Sequence, residues 1–377
     1  MFTLGTDVAK AKLDCVLLDP ATQKRKSKTV KNTKDGLLAL LEWLRTGKYD
    51  LTQIHVIMEP TSTYHELAAT TLHEAGCPVS LVNPAKLRGY ARSVGALTKT
   101  DAADAAVLAR YGASEKPRLW QPPPPSARVL RALLARRDAV AGDLQRERNR
   151  LEKVTASETP ETVQKSLQAG IEFLTKQLNS LEKEITDHID NDPDLRVKRD
   201  LLLTIPGVGD RVSEHMTALL ASYTFDTAEQ LAAYLGLVPV EWQSGSSIKG
   251  RPHLSKAGPA HLRKLLYLPA VVATRHNAHI RVVYQRLLAN GKSKMSALGA
   301  AMRKLAHLCF GVVSSGKPYD SSVYLKKILT GKTVSTGWVN TLCAMEGLAD
   351  MGFTAAGAGM RMYNEKCRSL SGAVFRA

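Results

Sequence analysis

Cysteine is scarce in this sequence, and its few copies stand far apart. The 377 residues include five cysteines and no CxxC pair: Cys15, Cys77, Cys309, Cys343 and Cys367. Such isolated thiols predict neither a disulfide framework nor a zinc cluster. We therefore expect a chain with reduced thiols, as is usual in a cytoplasm.

Long apolar runs and aromatic residues are also lacking. The sequence contains no apolar run of about 18 residues, no secretory signal and no lipidation motif, so we expect no membrane partner. Aromatic residues make up 6% of the chain, too few for extensive stacking on nucleobases. A C2H2 finger, a basic zipper and an RNP-type motif are absent as well. Any nucleic-acid recognition must therefore work without these modules.

Negative charge is the scarcer sign. Asp and Glu number 35 against 52 Lys and Arg, which gives a net charge of +17. An excess this large indicates a polyanionic partner. Without a membrane signal, nucleic acid is the preferred partner. We expect a cytoplasmic protein that associates with nucleic acid.

The first part of the chain alternates strand-like and helix-like segments. "FTLGTDVAKAKLDCVLLD" predicts two strands around a polar turn, "QIHVIMEP" predicts a strand, and "PVSLVNP" a shorter one. Helical spacing predicts helices in "DGLLALLEWL" and "TYHELAATTLHEAG" and from Asp101 onward. This pattern predicts an α/β domain over 1–115. The prolines of "QPPPPSA" then form a stiff spacer.

The rest of the chain is predicted to be mainly helical. Residues 116–195 hold the spacer and two charge-rich helices, an antiparallel or dimerising coiled pair whose charged face is either solvated or in contact with RNA or DNA. Residues 196–330 begin with "LLLTIPGVGDRVSEHMTALL", the pattern of a helix-hairpin-helix. The amides of Gly207 and Gly209 could there hold a phosphate. The glycine- and alanine-rich tail over 331–377 has no assigned role.

Four acids occupy suggestive positions in the α/β domain. Asp7 follows the first apolar strand, Glu59 closes a later strand, and Asp101 and Asp104 begin a helix after Thr100, a candidate N-cap. Acids in a first helical turn often only satisfy the helix dipole. A ribonuclease-H-like fold, however, gathers acids from its first strand, fourth strand and final helix in this order. Clustered carboxylates suit Mg²⁺, and two such ions could clamp a phosphodiester.

Several motifs together resemble a known family. They are "GTDVAKAKLD", "MEPTSTY", "NPAKLRGYARSVGALTKTDAADA", "IPGVG" and "SGSSIKGRPHLSKAGPAHLRKLLYLPA". In this order, from about Thr3 to about Lys327, they resemble the DEDD transposases of bacterial insertion sequences, the 110 family, also called bridge-RNA-guided recombinases. "MEPTSTY" departs from the alanine and glycine that commonly surround the family's glutamate, but it keeps the acid.

The resemblance implies a fold, a site and partners. It implies a RuvC-like N-terminal domain, coiled-coil helices and a C-terminal transposase domain. The metal-binding tetrad falls on Asp7, Glu59, Asp101 and Asp104, and the nucleophile on Ser244, with Ser246, Ser247 and Ser255 as lesser candidates. It also implies donor and target DNA, a bridge RNA, and a homo-oligomer, a dimer that becomes a tetramer in synapsis. The nucleic-acid contacts that we expect are Lys99, Gly207, Gly209, Lys249, Arg251, Lys256 and Arg263.

Three other functions remain open at the level of sequence. A site-specific DNA invertase of the same group would use the same residues on a different arrangement of sites. A RuvC-like junction nuclease would use the tetrad with water as nucleophile, leaving Ser244 dispensable. A non-catalytic nucleic-acid scaffold would need neither, because its acids would be structural.

Overall fold

The computed structural model of the chain describes residues 1–96, 100–157, 159–244, 248–250 and 252–322. Two compact units make up the chain, the first spanning Met1–Pro122 and the second beginning at Pro123. The division falls inside the run of four prolines. The finer division predicted from the sequence, with separate coiled-coil and transposase segments and a tail, stays a prediction.

The first unit is built on a five-stranded sheet with the strand order β3-β2-β1-β4-β5. Its strands are Phe2–Val8 (β1), Lys12–Leu18 (β2), Arg25–Lys31 (β3), Ile54–Met58 (β4) and Val79–Leu81 (β5). β2 runs antiparallel to both of its neighbours, whereas β4 and β5 run parallel to β1. This order and these directions are those of a ribonuclease-H-like, RuvC-like fold, so the predicted fold class is confirmed.

Helices cover both faces of this sheet. They are Lys34–Thr46 (α1), Tyr64–Glu74 (α2), Pro84–Ser93 (α3) and Asp101–Glu115 (α4). The leucines of α1 and the small residues of α2 pack in one core with Leu4, Leu13 and Val56. Val107 and Leu108 of α4 pack with Ile57 in a second core. Because both faces are covered, most residues of β1 and every residue of β4 are buried.

Two elements of the first unit were not predicted from the sequence. β3 has the sequence RKSKTVK, in which only Val30 is buried, so the strand carries no apolar alternation. α3 is short and polar, and only its Leu87 is buried. β3 is stabilised by its pairing with β2. The first turn of α3 is capped by the side chain of Asn83.

The second unit is mainly helical, as predicted. Its helices are Pro125–Thr155 (α5), Glu161–Asn191 (α6), Pro193–Leu203 (α7), Asp210–Ser222 (α8), Ala228–Tyr234 (α9), Ala260–Leu265 (α10), Tyr267–His276 (α11), Ala278–Ala289 (α12) and Lys294–Ser315 (α13). Short strands lie between α9 and α10: Pro239–Val240 (β6), Gln243–Ser244 (β7), Ile248–Lys249 (β8) and His253–Leu254 (β9). Among the helices described, none is long and apolar enough to cross a membrane.

The long helices α5 and α6 form an antiparallel hairpin. Leu130 and Leu134 of α5 share a buried cluster with Ile185 and Ile189 of α6. After them, the predicted helix-hairpin-helix is present as α7, a tight turn and α8. Gly207 in this turn has a φ of +100°, and a Cβ there would lie 2.8 Å from the Cβ of Ala273. The turn therefore requires glycine for its conformation and for its close approach to α11.

Candidate active site

Asp7 and Glu59 lie side by side at one end of the sheet. β1 and β4 are parallel, with Thr6 level with Met58. Each acid is the next residue along its strand, so the register places the two at the same level. Both side chains are half-buried. Two of the four predicted acids therefore meet where the central strands end, as expected of an α/β site.

Helix α4 brings Asp101 and Asp104 over the same end of the sheet. Thr100 caps the helix, as predicted: its hydroxyl accepts a hydrogen bond from the amide of Ala103 at 3.2 Å. Asp101 stands one turn before Ala105, and Ala105 packs on the sheet. The first turn of α4 therefore directs its acids toward the strand that carries Asp7.

The approach of α4 to the sheet depends on Gly5 in β1. A Cβ on Gly5 would lie 2.0 Å from the carbonyl oxygen of Ala105 and 2.4 Å from the amide nitrogen of Ala109. One turn farther, a Cβ on Gly112 would lie 2.3 Å from the Ile57 side chain. Ala105, Ala109 and Gly112 thus form a seam of small residues where the helix touches the strands. Backbone contact at Gly5 sets the distance between Asp7 and the acids of α4.

We expect Gly5→Ala to push α4 off the sheet. The added methyl group meets backbone atoms, which cannot rotate away, so the free energy of unfolding of the first unit should fall by about 1–3 kcal/mol or more. The measurement is the urea midpoint of the full chain. The matched control is Gly89→Ala in α3, where a Cβ meets nothing within 4 Å and should stabilise the exposed helix slightly. Equal midpoints for Gly5→Ala and wild type would contradict the backbone contact.

Two further residues, which the sequence analysis missed, join the acids. Asp14 on β2 is paired directly with Asp7 on β1. The ammonium group of Lys12 lies 2.9 Å from Oδ2 of Asp14 and 2.7 Å from Oδ2 of Asp101. Asp14 also accepts a hydrogen bond from the hydroxyl of Thr29 on β3 at 2.6 Å. The signal was present in the sequence, because Asp7 and Asp14 are equidistant from the centre of the predicted turn.

The concentration of negative charge affects the pKa of Asp7. Partial burial raises the pKa of this carboxyl, and the charges of neighbouring acids raise it further, to about 6; these neighbours are Asp101, Asp104, Asp14 and Glu59. The neighbouring acids thus favour the neutral form of Asp7, as expected for like charges in one site. The hydrogen bonds to Asp101 and Asp14 raise the pKa of Lys12, which keeps that side chain charged.

The chemistry of this donor set fits a hard divalent cation. All the donors are carboxylate oxygens, and their mutual repulsion is what a cation relieves. Among the described residues, no group of three or more His, Cys, Asp or Glu side chains forms a ready-made cage. Mg²⁺ does not need such a cage, because it is usually held by one or two carboxylates together with water and substrate phosphates. Lys12 supplies one positive charge to the carboxylates.

The predicted nucleophile lies in the second unit, on a small hairpin. Gln243 pairs with Lys249 and Ser244 with Ile248, while Pro239–Val240 pairs with His253–Leu254 behind them. The amide of Gly250 donates to the carbonyl of Trp242 at 2.9 Å between the two ladders. The backbone of Ser244 therefore sits near the tip of a nested hairpin. Its side chain, and Ser246 and Ser247, lie outside what the structure describes.

The predicted nucleic-acid contacts differ in how far the structure describes them and in whether they are exposed. Lys99 and Arg251 lie outside the described residues, and of Lys249 only the backbone is described. Lys256 is exposed in the loop after the hairpin, with a φ of +54°. Arg263 donates from Nη1 to the carbonyl oxygens of Leu235 at 3.0 Å and Ala257 at 3.4 Å, so it ties a loop together.

The glycines of the predicted phosphate site also differ. Gly207 is explained by the conformation and close packing of the turn itself. Gly209 is the N-cap residue of α8, where no side chain caps the helix, and the space beside its Cα is open. Gly209 therefore leaves room for an anion, although Asp210 adds a negative charge to the same helical turn.

An exposed aromatic residue near the hairpin was also missed by the sequence analysis. Trp242 stands two residues before Ser244, and 69% of it is exposed. A low aromatic content had argued against stacking platforms, but a single exposed Trp can still stack on one base.

Comparison with known proteins gives the family. A model of the DEDD transposases of IS110, described as "Transposase", matches residues 4–160. A second, "Transposase IS116/IS110/IS902 family", matches residues 199–285. The "Pilin gene-inverting protein" of Moraxella lacunata is 33% identical over 324 residues, covering 85% of this chain and 98% of that protein.

Two more similarities accompany these matches. The "Insertion element IS110 uncharacterized 43.6 kDa protein" of Streptomyces coelicolor is 25% identical, covering 84% of this chain and 95% of that protein. Among solved structures, "T. thermophilus RuvC in complex with Holliday junction substrate" is 16% identical, with a TM-score of 0.22, covering 29% of this chain and 90% of that chain.

The chain belongs to the IS110 family of transposases. It is therefore an enzyme of the DNA transposase and recombinase class, as the sequence motifs predicted.

Proposed function

We propose that the protein cuts and rejoins DNA strands, with Ser244 as the nucleophile and with Mg²⁺ bound by Asp7, Glu59, Asp101 and Asp104. The observation that carries the metal assignment is the effect of the other acids on Asp7: carboxylates from β2, β4 and α4 all act on this one side chain. If these acids only interacted with helix dipoles or stabilised turns, they would not be expected to lie together at the end of one strand.

The proposed chemistry is a pair of transesterifications. The Ser244 oxygen forms a bond to phosphorus, the bond from phosphorus to the 3′-oxygen breaks, and that oxygen leaves as a 3′-hydroxyl with a proton. The 5′-phosphoserine keeps the phosphodiester energy, so another 3′-hydroxyl can displace the serine without ATP. Bound Mg²⁺ would stabilise the charge that develops on the phosphate oxygens. The four acids would hold that ion, and Lys12 offsets part of their negative charge.

We further propose that a bridge RNA selects the sites of recombination. The net charge of +17 supports binding to polyanions beyond a single duplex. The chain lacks a base-reading module in its sequence, so sequence choice by base pairing with RNA would leave the protein to contact backbone and shape. The same proposal includes a dimer that becomes a tetramer in synapsis. The tetramer binds donor and target DNA, and the protein is located at the nucleoid.

Protein freed of RNA is expected to lose site-specific recombination while it keeps salt-dependent binding to DNA. The RNA that copurifies with the full chain is sequenced, removed with ribonuclease, and added back after the ribonuclease is inactivated. Recombination is read from the junction products on a plasmid that carries both sites. Recovery on addition of the copurified RNA, but not of an unrelated RNA of equal length, supports guidance. Undiminished site-specific products from RNA-free protein would refute it.

Inversion of a DNA segment is the second candidate function. It is favoured by the similarity to the pilin gene-inverting protein of Moraxella lacunata, of which this chain covers 98%. The same residues would carry out the same chemistry on two sites in one molecule. Plasmids that carry the sites in inverted orientation or on separate molecules distinguish the two functions by their products.

A further inference from the structure

The edge strand β3 is strongly basic. From Lys24 to Lys34 the sequence contains six cations and no acid. Every residue of Arg25–Thr29 is exposed, as is Lys31. We call the cations of this strand, together with Lys24 just before it, the basic edge; they are Lys24, Arg25, Lys26, Lys28 and Lys31.

Internal partners do not explain the basic edge. Arg25, Lys26, Lys28 and Lys31 form no ion pair with any acid in the described part of the chain. Lys26 lies over the ring of Tyr49, at 5.4 Å from its centroid. Lys31 of β3 is paired directly with Lys12 of β2, and like charges in that position are destabilising. The fold therefore keeps an electrostatic cost that an acid at position 31 would remove.

Protection against aggregation accounts for only part of this composition. Lysines commonly guard edge strands against pairing with another chain. Charges of either sign serve that purpose, because any charged side chain disfavours the pairing. A strand with cations at four of its seven positions and no acid instead presents one sign of charge along its length, and a field of one sign attracts a ligand of the opposite sign.

The register connects the basic edge to the acids. Asp7, Asp14 and Thr29 form one row across β1, β2 and β3, and Lys12 and Lys31 form the next row on the same face of the sheet. Neighbouring strands are about 4.8 Å apart, so β3 lies about 10 Å from β1. The seven residues of β3 span about 20 Å, and Thr29 lies within that length. This is the length of about six nucleotides in a B-form strand at about 3.4 Å each.

We propose that the basic edge binds the phosphate backbone of a nucleic-acid strand that passes the acid cluster. This inference rests on the proposed function for its nucleic-acid ligand, and it adds a surface that the family motifs do not include. The contact is independent of sequence, because it is made by charge along an exposed strand. DNA and RNA offer the same phosphates, and the test separates them.

The test compares two variants with equal loss of charge in the full chain. The test variant is Arg25→Gln with Lys28→Gln. The control is Arg110→Gln with Lys116→Gln, two exposed cations of the same unit at the other end of α4. Affinity for a labelled 20-base-pair duplex DNA and for an RNA hairpin, both of unrelated sequence, is measured in EDTA over a range of KCl concentrations. Thermal melting confirms that each variant is folded.

We expect the test variant to reduce the slope of log affinity against log salt by about 0.9 for each duplex phosphate that the protein no longer neutralises, and the control to leave it unchanged. Arg25→Lys with Lys28→Arg should restore the slope. The probe whose slope falls identifies DNA, RNA or both as the ligand. Equal slopes for the test variant and wild type on both probes, or an equal fall in the control, would overturn the proposal. Weak, salt-independent binding by wild type would instead count against the proposed function.

Discussion

Asp101→Asn and Asp104→Asn are each expected to abolish recombination while folding and nucleic-acid binding survive. The amide keeps the shape of the side chain but removes the charge that would hold a divalent ion. Such an ion contributes several kcal/mol to stabilising the transition state of phosphoryl chemistry. A loss of about 4 kcal/mol lowers a rate about a thousandfold. The measurement is the yield of junction products over time, together with Mg²⁺ and Mn²⁺ binding by titration calorimetry.

The control for this prediction is Asp35→Asn. Asp35 also lies in the first turn of a helix, α1, and it is exposed. It tests the simpler account, in which a first-turn acid only interacts with the helix dipole, an effect of about 0.3–1 kcal/mol on stability. Asp101 is paired with Lys12 at an exposed position, so losing that pair should cost little stability. Normal recombination by Asp101→Asn or Asp104→Asn would show that the metal assignment is wrong.

Ser244→Ala is expected to remove strand cleavage and the covalent adduct together. The substitution deletes one oxygen from a hairpin whose backbone ladder does not depend on it, so the fold should remain. RNA binding and synapsis should remain as well. The measurement is denaturing electrophoresis of the protein with end-labelled DNA, in which a 5′-phosphoserine bond survives as a slow-moving band.

Two neighbouring serines serve as controls for the nucleophile. Ser246→Ala and Ser255→Ala should both retain the band, because neither is the proposed nucleophile. A band that persists in Ser244→Ala and vanishes in Ser246→Ala would move the nucleophile to Ser246. Cleavage by every variant without any band would instead favour the nuclease in which water attacks.

The sequence was sufficient to predict the elements that bury apolar side chains. β1 and β4 are mostly buried strands, with Asp7 next to the last residue of β1 and Glu59 directly after β4, and α4 begins with a threonine cap that the structure confirms. The glycine turn between α7 and α8 was also predicted from the sequence, because it separates two apolar helical segments. In each case local composition and tertiary packing point to the same structure.

The remaining features depend on pairing that composition does not reveal. β3 has one buried residue and forms because β2 offers it a ladder. Asp14 reaches Asp7 through the register of a hairpin, and Lys12 reaches Asp101 across nearly ninety positions of sequence. Motif spacing predicted four acids, and the strand register and the ion pair with Asp101 place a fifth acid and a lysine beside them.

The contact between Gly5 and Ala105 has a consequence for the time at which this enzyme becomes active. The two residues are a hundred positions apart, so the packing around β1 is complete only after α4 has been synthesised. Contacts between such distant positions form late, because a long loop must close first. During synthesis, the hairpin of β1 and β2 can pair as soon as it emerges, whereas the acid cluster cannot assemble until α4 has left the ribosome. A nascent chain that ends before α4 therefore carries Asp7, Asp14 and Glu59 without Asp101 and Asp104 beside them.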